Sequence, residues 1–317
     1  MTIITKKLFY LFVMLFIISV ISFLAVHLAP NSFFASGELN PNITEERIAH
    51  LKAIYNLDKP FYVQFFAWIT NILRLDFGIS FSSGNPVKDE ILSRLPITLT
   101  INIISMLLIF VLSLYLGIKS ALNHGGKFDK FIGQISILSF SVPSFYLALI
   151  LTFAFSITFQ VFPLSGTVSD SSLTGLDKYK DIAWHLTLPI LIIIFGGLGS
   201  LTLYVRAITI DILKSDYLFF AKARGLSQIT ILRFYILPNL YPTVITLLGL
   251  SLPGVFGGSV ILETIFGIDG MGLLFFQSAM SNDYPVIMGV LLIGAFLTLM
   301  GNIIADLILL KLNPNTI

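Results

Sequence analysis

The chain has 317 residues, 56% of them hydrophobic and 11% charged, with a formal net charge of +2 and a mean hydropathy of +0.92. A soluble domain carries about 25% charged residues, so a chain this apolar lacks the polar surface to cover a core and belongs to the membrane class. It has no cysteine, which excludes disulfides, thiolate chemistry and cysteine metal sites, and so small a net charge gives no sign of nucleic-acid binding.

Six segments reach the ~20 mostly apolar residues that spanning demands: residues 8–28, 96–120, 131–162, 186–205, 243–265 and 285–312. The first follows Lys6 and Lys7, and its apolar run exceeds the ~7–15 residues of a signal peptide, so it reads as an uncleaved anchor. Residues 30–95 form an extracytoplasmic helical segment. Asn42 and Glu45 fit a capping box, Ile48, Leu51 and Tyr55 share one face, and a second amphipathic run over residues 61–75 follows Pro60.

Orientation follows the basic residues. One set of connections holds Lys6, Lys7, Lys119, Lys127, Lys130, Lys214, Lys222, Arg224, Arg233 and Lys311. The other is acid-rich, with Glu38, Glu45, Glu46, Asp58, Asp76, Asp89, Glu90, Asp170, Asp177, Asp181, Asp269 and Asp283. Both termini and the connection after the fourth span are therefore expected on the cytoplasmic side.

That connection, residues 216–238, reads as two short helices around a glycine hinge. Ser215 is placed to cap the first, with Asp216 in its first turn and Lys222 and Arg224 in its last, where cations suit the helix dipole. Gly225 is placed for the left-handed position after the helix, and Ser227 for the cap of the helix running towards Pro238. Leu218, Phe219, Phe220 and Leu226 are expected on show, as on a hairpin built to be gripped.

Within the spans, Pro143 is expected to interrupt the third and Pro253 the fifth, where Gly254, Gly257 and Gly258 follow. Pro253 serves either as a packing kink or as the lining of a pathway. Gly196, Gly197 and Gly199 of the fourth span read as close helix packing. Asp306, with Asn302 one turn earlier, is either a gate or an interhelical tie, the tie being preferred. Glu263 is expected at the outer interface. The pathway candidates are thus Pro253, Gly254, Gly257, Asn302 and Asp306.

Enzymatic motifs fail. Residues 121–128, ALNHGGKF, come near a phosphate-binding P-loop but lack its first glycine (Ala121) and final Ser/Thr (Phe128), and follow a membrane helix instead of a strand. There is no G-x-S-x-G elbow. The four histidines, His27, His50, His124 and His185, fall in separate regions without ligand spacing. A stand-alone ion-coupled carrier or channel is the alternative of another class, weakened by the scarcity of buried carboxylates.

Asp216-Tyr217, Ala221-Lys222-Ala223-Arg224-Gly225-Leu226-Ser227 and Leu237-Pro238-Asn239 together resemble the cytoplasmic EAA loop of ABC importer membrane subunits. The variant is that of dipeptide, oligopeptide and nickel permeases. Leu57-Asp58-Lys59-Pro60 with Gln64, Asp76-Phe77-Gly78-Ile79-Ser80, Arg94-Leu95-Pro96-Ile97-Thr98-Leu99 and Leu164-Ser165-Gly166 continue the likeness. So do Glu263-Thr264-Ile265-Phe266 with Gly270 and Gly272, Asp283-Tyr284-Pro285-Val286, and Asn302 with Asp306 and Asn313-Pro314. The order points to the B-type permease of the pair. Phe219 and Phe220 depart from the general Glu-Ala-Ala opening, Tyr235 replaces the usual Ile, and Ile268-Asp269 stand where many relatives have Trp-Pro.

The resemblance implies an all-α polytopic membrane protein with about six transmembrane helices and a type I ABC importer-like fold. Residues 1–317 would be one permease domain, with its coupling hairpin at residues 208–240. Asp216, Tyr217, Leu218, Phe219, Phe220, Ala221, Lys222, Ala223, Arg224, Gly225, Leu226 and Ser227 would engage an ATPase. The chain would carry no cofactor or enzymatic activity, ATP and Mg being bound by one or two P-loop ATPase subunits. A second homologous permease, an extracytoplasmic solute-binding protein and the bilayer of a bacterial cytoplasmic (inner) membrane complete the partners; nucleic acid is not among them. The implied cargo is a short peptide, with nickel or a nickel chelate as the alternative.

Overall fold

Long apolar runs fold as helices because a helix satisfies its own backbone hydrogen bonds where no water can. The computed structural model describes residues 3–28, 59–257 and 259–312, and these are overwhelmingly helical, with one isolated β-bridge between Ile79 and Pro86. In chain order the helices are α1 (Ile3–His27), α2 (Phe61–Leu73), α3 (Val87–Leu122), α4 (Lys127–Ser141), α5 (Ser144–Thr152) and α6 (Gly175–Leu213). Then come α7 (Asp216–Ala223), α8 (Gln228–Ile231), α9 (Leu237–Gly257), α10 (Val260–Phe266), α11 (Met271–Met280) and α12 (Tyr284–Leu312). π-helical turns lie at Phe153–Thr158 and Leu232–Ile236. The capping box at Asn42 and Glu45, the face of Ile48, Leu51 and Tyr55, and Gly258 and Asn313-Pro314 lie outside the described residues.

Among the described residues five helices are long and apolar enough to cross a membrane, and up to seven spans result if each of two bent helix pairs is counted as one. The first bent pair is the expected third span. Pro143 takes the N-cap of α5, and the helices on either side of it meet at 98°. The expected fifth span is corrected. Helix α9 runs through Pro253 and ends at Gly257, so the break falls four residues later than the proline, and residues 260–265 belong to α10. Helices α10 and α11 meet at 87°.

The chain divides into two compact units: Met1–Thr98, Phe256–Thr264 and Asp269–Met300 form the first, and Leu99–Val255, Ile265–Ile268 and Gly301–Ile317 the second. In the first, α2 presents Phe65 and Trp68 to Phe23 of α1 and Met288 of α12, with Phe23–Phe65 and Phe23–Trp68 ring centroids 5.4 and 5.6 Å apart. Val87, Ile91, Val286 and Met271 make a second cluster. Asp283 secures the turn ahead of α3, accepting from Ser80 Oγ at 2.5 Å and from the Phe81 and Ser82 N–H groups at 3.0 Å each.

In the second unit, α4 packs on α6 through Gly199. A Cβ there would collide with Ser136 O and Ser139 Oγ, and the Gly199 N–H donates to Ser139 Oγ at 3.0 Å. Gly197 likewise abuts Ile109, whose Cδ1 would lie 2.6 Å from an added Cβ, whereas Gly196 faces open space. Lipid is as apolar as leucine, so such contacts hold helices together by close packing and not by hydrophobic transfer. In the connection before α6, Asp170 accepts from the N–H and hydroxyl of Ser172 at 2.8 and 2.7 Å, and these bonds hold its carboxyl below the usual range.

Candidate functional site

The α7–α8 hairpin is locked by local backbone chemistry. At the end of α7 the Gly225 N–H donates to Lys222 O at 2.9 Å and the Leu226 N–H to Ala221 O at 3.4 Å. This pair is the Schellman pattern, which needs a left-handed residue between its two bonds, and Gly225 supplies it at φ +72°. Ser227 caps α8 by accepting the Thr230 N–H at 3.3 Å. Ser215 does not cap α7 as expected: its hydroxyl turns back and donates to Ile212 O at 2.6 Å, leaving only its carbonyl to receive the Leu218 and Phe219 N–H groups.

The faces of α7 differ from expectation. Leu218 is fully buried and Ala221 nearly so, against Ile231, Ile236, Leu240 and Val205. Leu226 is half-buried on the same cluster. Phe219 and Phe220 face out, 69% and 64% exposed, with Tyr217, Lys222, Ala223, Arg224 and Ile229 also exposed. The structure thus divides the predicted coupling residues into an anchoring row and an outward row. The expected second helix is also longer than a hairpin arm, because α8 passes through the π turn into α9. A proline in a helix clashes with the carbonyl four residues back, here Phe234, and the wider π turn ahead of Pro238 relieves that clash.

The rejected P-loop stretch wraps a carboxylate of the chain itself. Asp129 accepts from Arg206 Nε and Nη2 at 2.5 and 2.7 Å, Ser120 Oγ at 2.5 Å and the Gly125 N–H at 2.9 Å. His124 Nδ1 lies 3.1 Å from both Asp129 Oδ2 and Arg206 Nη2. This knot ties α3, α4 and α6. Sequence reasoning placed His124 without joining it to Asp129, and missed Arg206. A lone arginine late in an apolar run was the available signal, since such a charge demands a partner.

Glu263, expected at an interface, is instead buried at 3% exposure. Its carboxylate accepts the Gly272 and Leu273 N–H groups at 2.6 and 3.1 Å and Thr98 Oγ1 at 3.0 Å, while Thr98 Oγ1 accepts the Met271 N–H at 2.9 Å. Together the two side chains satisfy the first three N–H groups of α11, where a negative charge also meets the helix dipole. A Cβ at Gly270 would come within 2.5 Å of Glu263 Oε2 and 2.6 Å of Thr98 Oγ1, so glycine admits the cap.

Of the pathway candidates, Gly254 lines a cavity of about 480 Å³ between α3, α6 and α9. Pro253 and Gly257 lie within α9, and Asn302 and Asp306 are half-buried one turn apart on α12. Among the described residues no three His, Cys, Asp or Glu side chains gather as a metal site. The arrangement is therefore that of a polytopic helical transport subunit, with a surface hairpin and an open cavity that has no charged side chain in its described lining.

Comparison with known proteins narrows that class. Residues 109–317 match the family of binding-protein-dependent transport system inner membrane components, and residues 1–102 match the N-terminal family of such membrane components. The oligopeptide transport system permease protein AppB of Bacillus subtilis is 34% identical over 94% of this chain and 93% of its own length. The dipeptide permease DppB of Lactococcus lactis is 30% identical over 98% and 97%. CntB, a metal-staphylopine import permease of Staphylococcus aureus, is 29% identical over 98% and 96%. A chain of the inward-facing MetNI methionine ABC transporter shares the fold, with TM-score 0.53 and 16% identity over 70% of this chain and 95% of that one. The chain belongs to the binding-protein-dependent transport system inner membrane component family. It is a membrane permease subunit of an ABC importer and not an enzyme, and in such systems ATP hydrolysis resides in separate subunits.

Proposed function

We propose that the chain forms half of the pathway of an ATP-driven importer for short peptides, with the α7–α8 hairpin as its coupling element. The observation that carries the reading is the outward row of α7. Two adjacent exposed aromatic rings, their centroids 5.8 Å apart, stand on a short helix whose inner row and Schellman turn hold it rigid. Exposed aromatics rimmed by cations are the composition of an interface anchor.

In this reading the outward residues Tyr217, Phe219, Phe220, Lys222, Ala223 and Arg224 seat in a cleft of an ATPase. Asp216, Leu218, Ala221, Leu226 and Ser227 hold the hairpin's shape, and Gly225 sets its turn while standing exposed at the rim of that cleft. One or two P-loop ATPase subunits bind Mg-ATP, a second homologous permease completes the pathway, and a solute-binding protein delivers cargo from outside. The hairpin and both termini lie on the cytoplasmic side of a bacterial inner membrane, as the distribution of basic residues favours. Peptide cargo is supported by the oligopeptide and dipeptide relatives. The metal-staphylopine relative favours a second reading, import of a metal as its chelate.

The test is purification of the chain with its partners from native membranes, followed by uptake into proteoliposomes. Recovery of a second permease and an ATPase, with ATP-dependent uptake of trialanine, is expected. Uptake of nickel chelate alone would establish the second reading. Transport by the isolated chain without ATP would overturn both.

A further inference from the structure

The cavity between α3, α6 and α9 is lined by Asn102, Ser105, Ser200, Tyr204 and Ser251 among apolar residues, and no charged side chain is among its described lining. Asn102 and Ser105 stand at least four turns from either end of α3. Polar groups at such depth face protein or water, because lipid offers them no hydrogen bonds. The Asn102 amide donates to Val255 O at 3.0 Å, a carbonyl left without a helical partner because α9 ends at Gly257. That bond uses the nitrogen and leaves the carboxamide oxygen as an acceptor. Ser105 Oγ is buried with no hydrogen-bond partner among the described residues, while Ser200 and Ser251 are exposed and Tyr204 is half-exposed. Ser200, Ser251 and Tyr204 are therefore the hydroxyl residues of the lining that water or a solute can reach. The volume falls in the about 300–1,000 Å³ range of small-molecule sites.

We infer that this cavity is a water-filled station on the transport pathway that receives the solute through neutral hydrogen bonds. Hydroxyls both donate and accept, and the free carboxamide oxygen accepts, so the lining matches the alternating N–H and C=O groups of an uncharged stretch of peptide backbone. The absence of charge in the lining makes it indifferent to the charge of the cargo's side chains, so selection lies elsewhere. This inference rests on the importer reading.

The chain has no cysteine, so single substitutions report without background. Ser200→Cys and Ser251→Cys place thiols in the lining, and Leu250→Cys places one at a residue 67% exposed on the same helix but outside it. In the complex reconstituted with its partners, the charged aqueous reagent MTSET should modify both cavity thiols at least tenfold faster than Leu250→Cys. Modification of Ser251→Cys should cut ATP-driven trialanine uptake at least tenfold and leave the cysteine-free parent unaffected. Reaction with lipid-permeant N-ethylmaleimide but not MTSET would mean that lipid fills the cavity, and reaction with neither that a partner helix covers it. Either result overturns the inference, as does modification without loss of uptake. If the parent itself fails to take up trialanine, the peptide reading fails instead, and the MTSET contrast alone then decides whether the cavity holds water.

Discussion

The guanidinium of Arg206 grips the carboxylate of Asp129 with two parallel bonds, at 2.5 and 2.7 Å, across 77 residues of sequence. The carboxylate is almost completely buried and the guanidinium only a quarter exposed. Removing one partner leaves the other charge without compensation, which costs about 3–5 kcal/mol for a fully buried pair, and somewhat less here because Arg206 touches solvent. Asp129→Leu and Arg206→Met should each lower the thermal midpoint in detergent by many degrees. The double variant should lie above either single one, since it removes both charges together. Additive losses in the cycle would show that the pair does not act as a unit.

Gly225 offers a cleaner separation of fold from function. A Cβ there would meet nothing within 4 Å inside this chain, so substitution costs only the left-handed backbone, about 1–2 kcal/mol for most residues and less for Asn or Asp. Gly225→Asp should therefore leave the thermal midpoint within a few degrees of the parent. ATP-driven uptake should nonetheless fall at least tenfold, because the added carboxylate would meet the partner's cleft. Normal uptake at normal expression would remove the hairpin from the coupling role.

The glycine turn was legible because its cause is local: a cationic last turn, a glycine and a following Ser cap lie within a few consecutive residues. Pro143 was legible for the same reason, whereas Pro253 misled because a preceding turn can absorb a proline and α9 runs on past it. The burial of Leu218 was hidden, since Leu218, Phe219, Phe220 and Ala221 are all apolar and an eight-residue helix leaves no period to tell inside from outside. Glu263 was misplaced because a carboxylate ending an apolar run looks interfacial. Its true partners are N–H groups 9 and 10 residues onward that return only after the 87° bend. Asp129 and Arg206 could not be paired without the packing of α4 on α6.

The cap of α11 is the third testable structure. Glu263→Gln keeps the shape but substitutes an amide NH2 for one acceptor oxygen and removes the charge at the helix N-terminus, a loss of about 1–3 kcal/mol. Gly270→Ala should cost a similar amount by pushing Glu263 and Thr98 aside. Because both changes break the same cap, the double variant should be little worse than the poorer single one in thermal unfolding. Strict additivity would mean that the close approach of Gly270 to Glu263 is incidental.

The two rows of α7 predict opposite phenotypes for adjacent residues. Leu218 is fully buried, so Leu218→Ala opens a cavity and should cost about 2–5 kcal/mol, seen as a lower thermal midpoint of the isolated chain. Phe219 and Phe220 touch mainly each other and solvent, so Phe219→Ala and Phe220→Ala should move that midpoint by no more than about 0.5 kcal/mol equivalent. In the assembled importer the order reverses. Truncating an aromatic anchor commonly costs about 2 kcal/mol or more of association, roughly a thirtyfold weaker hold on the ATPase. The check is thermal unfolding alongside ATPase recovery in a pull-down at matched expression. A Phe219→Ala/Phe220→Ala chain that retains the ATPase undiminished would mean that the exposed rings serve the bilayer and not a partner.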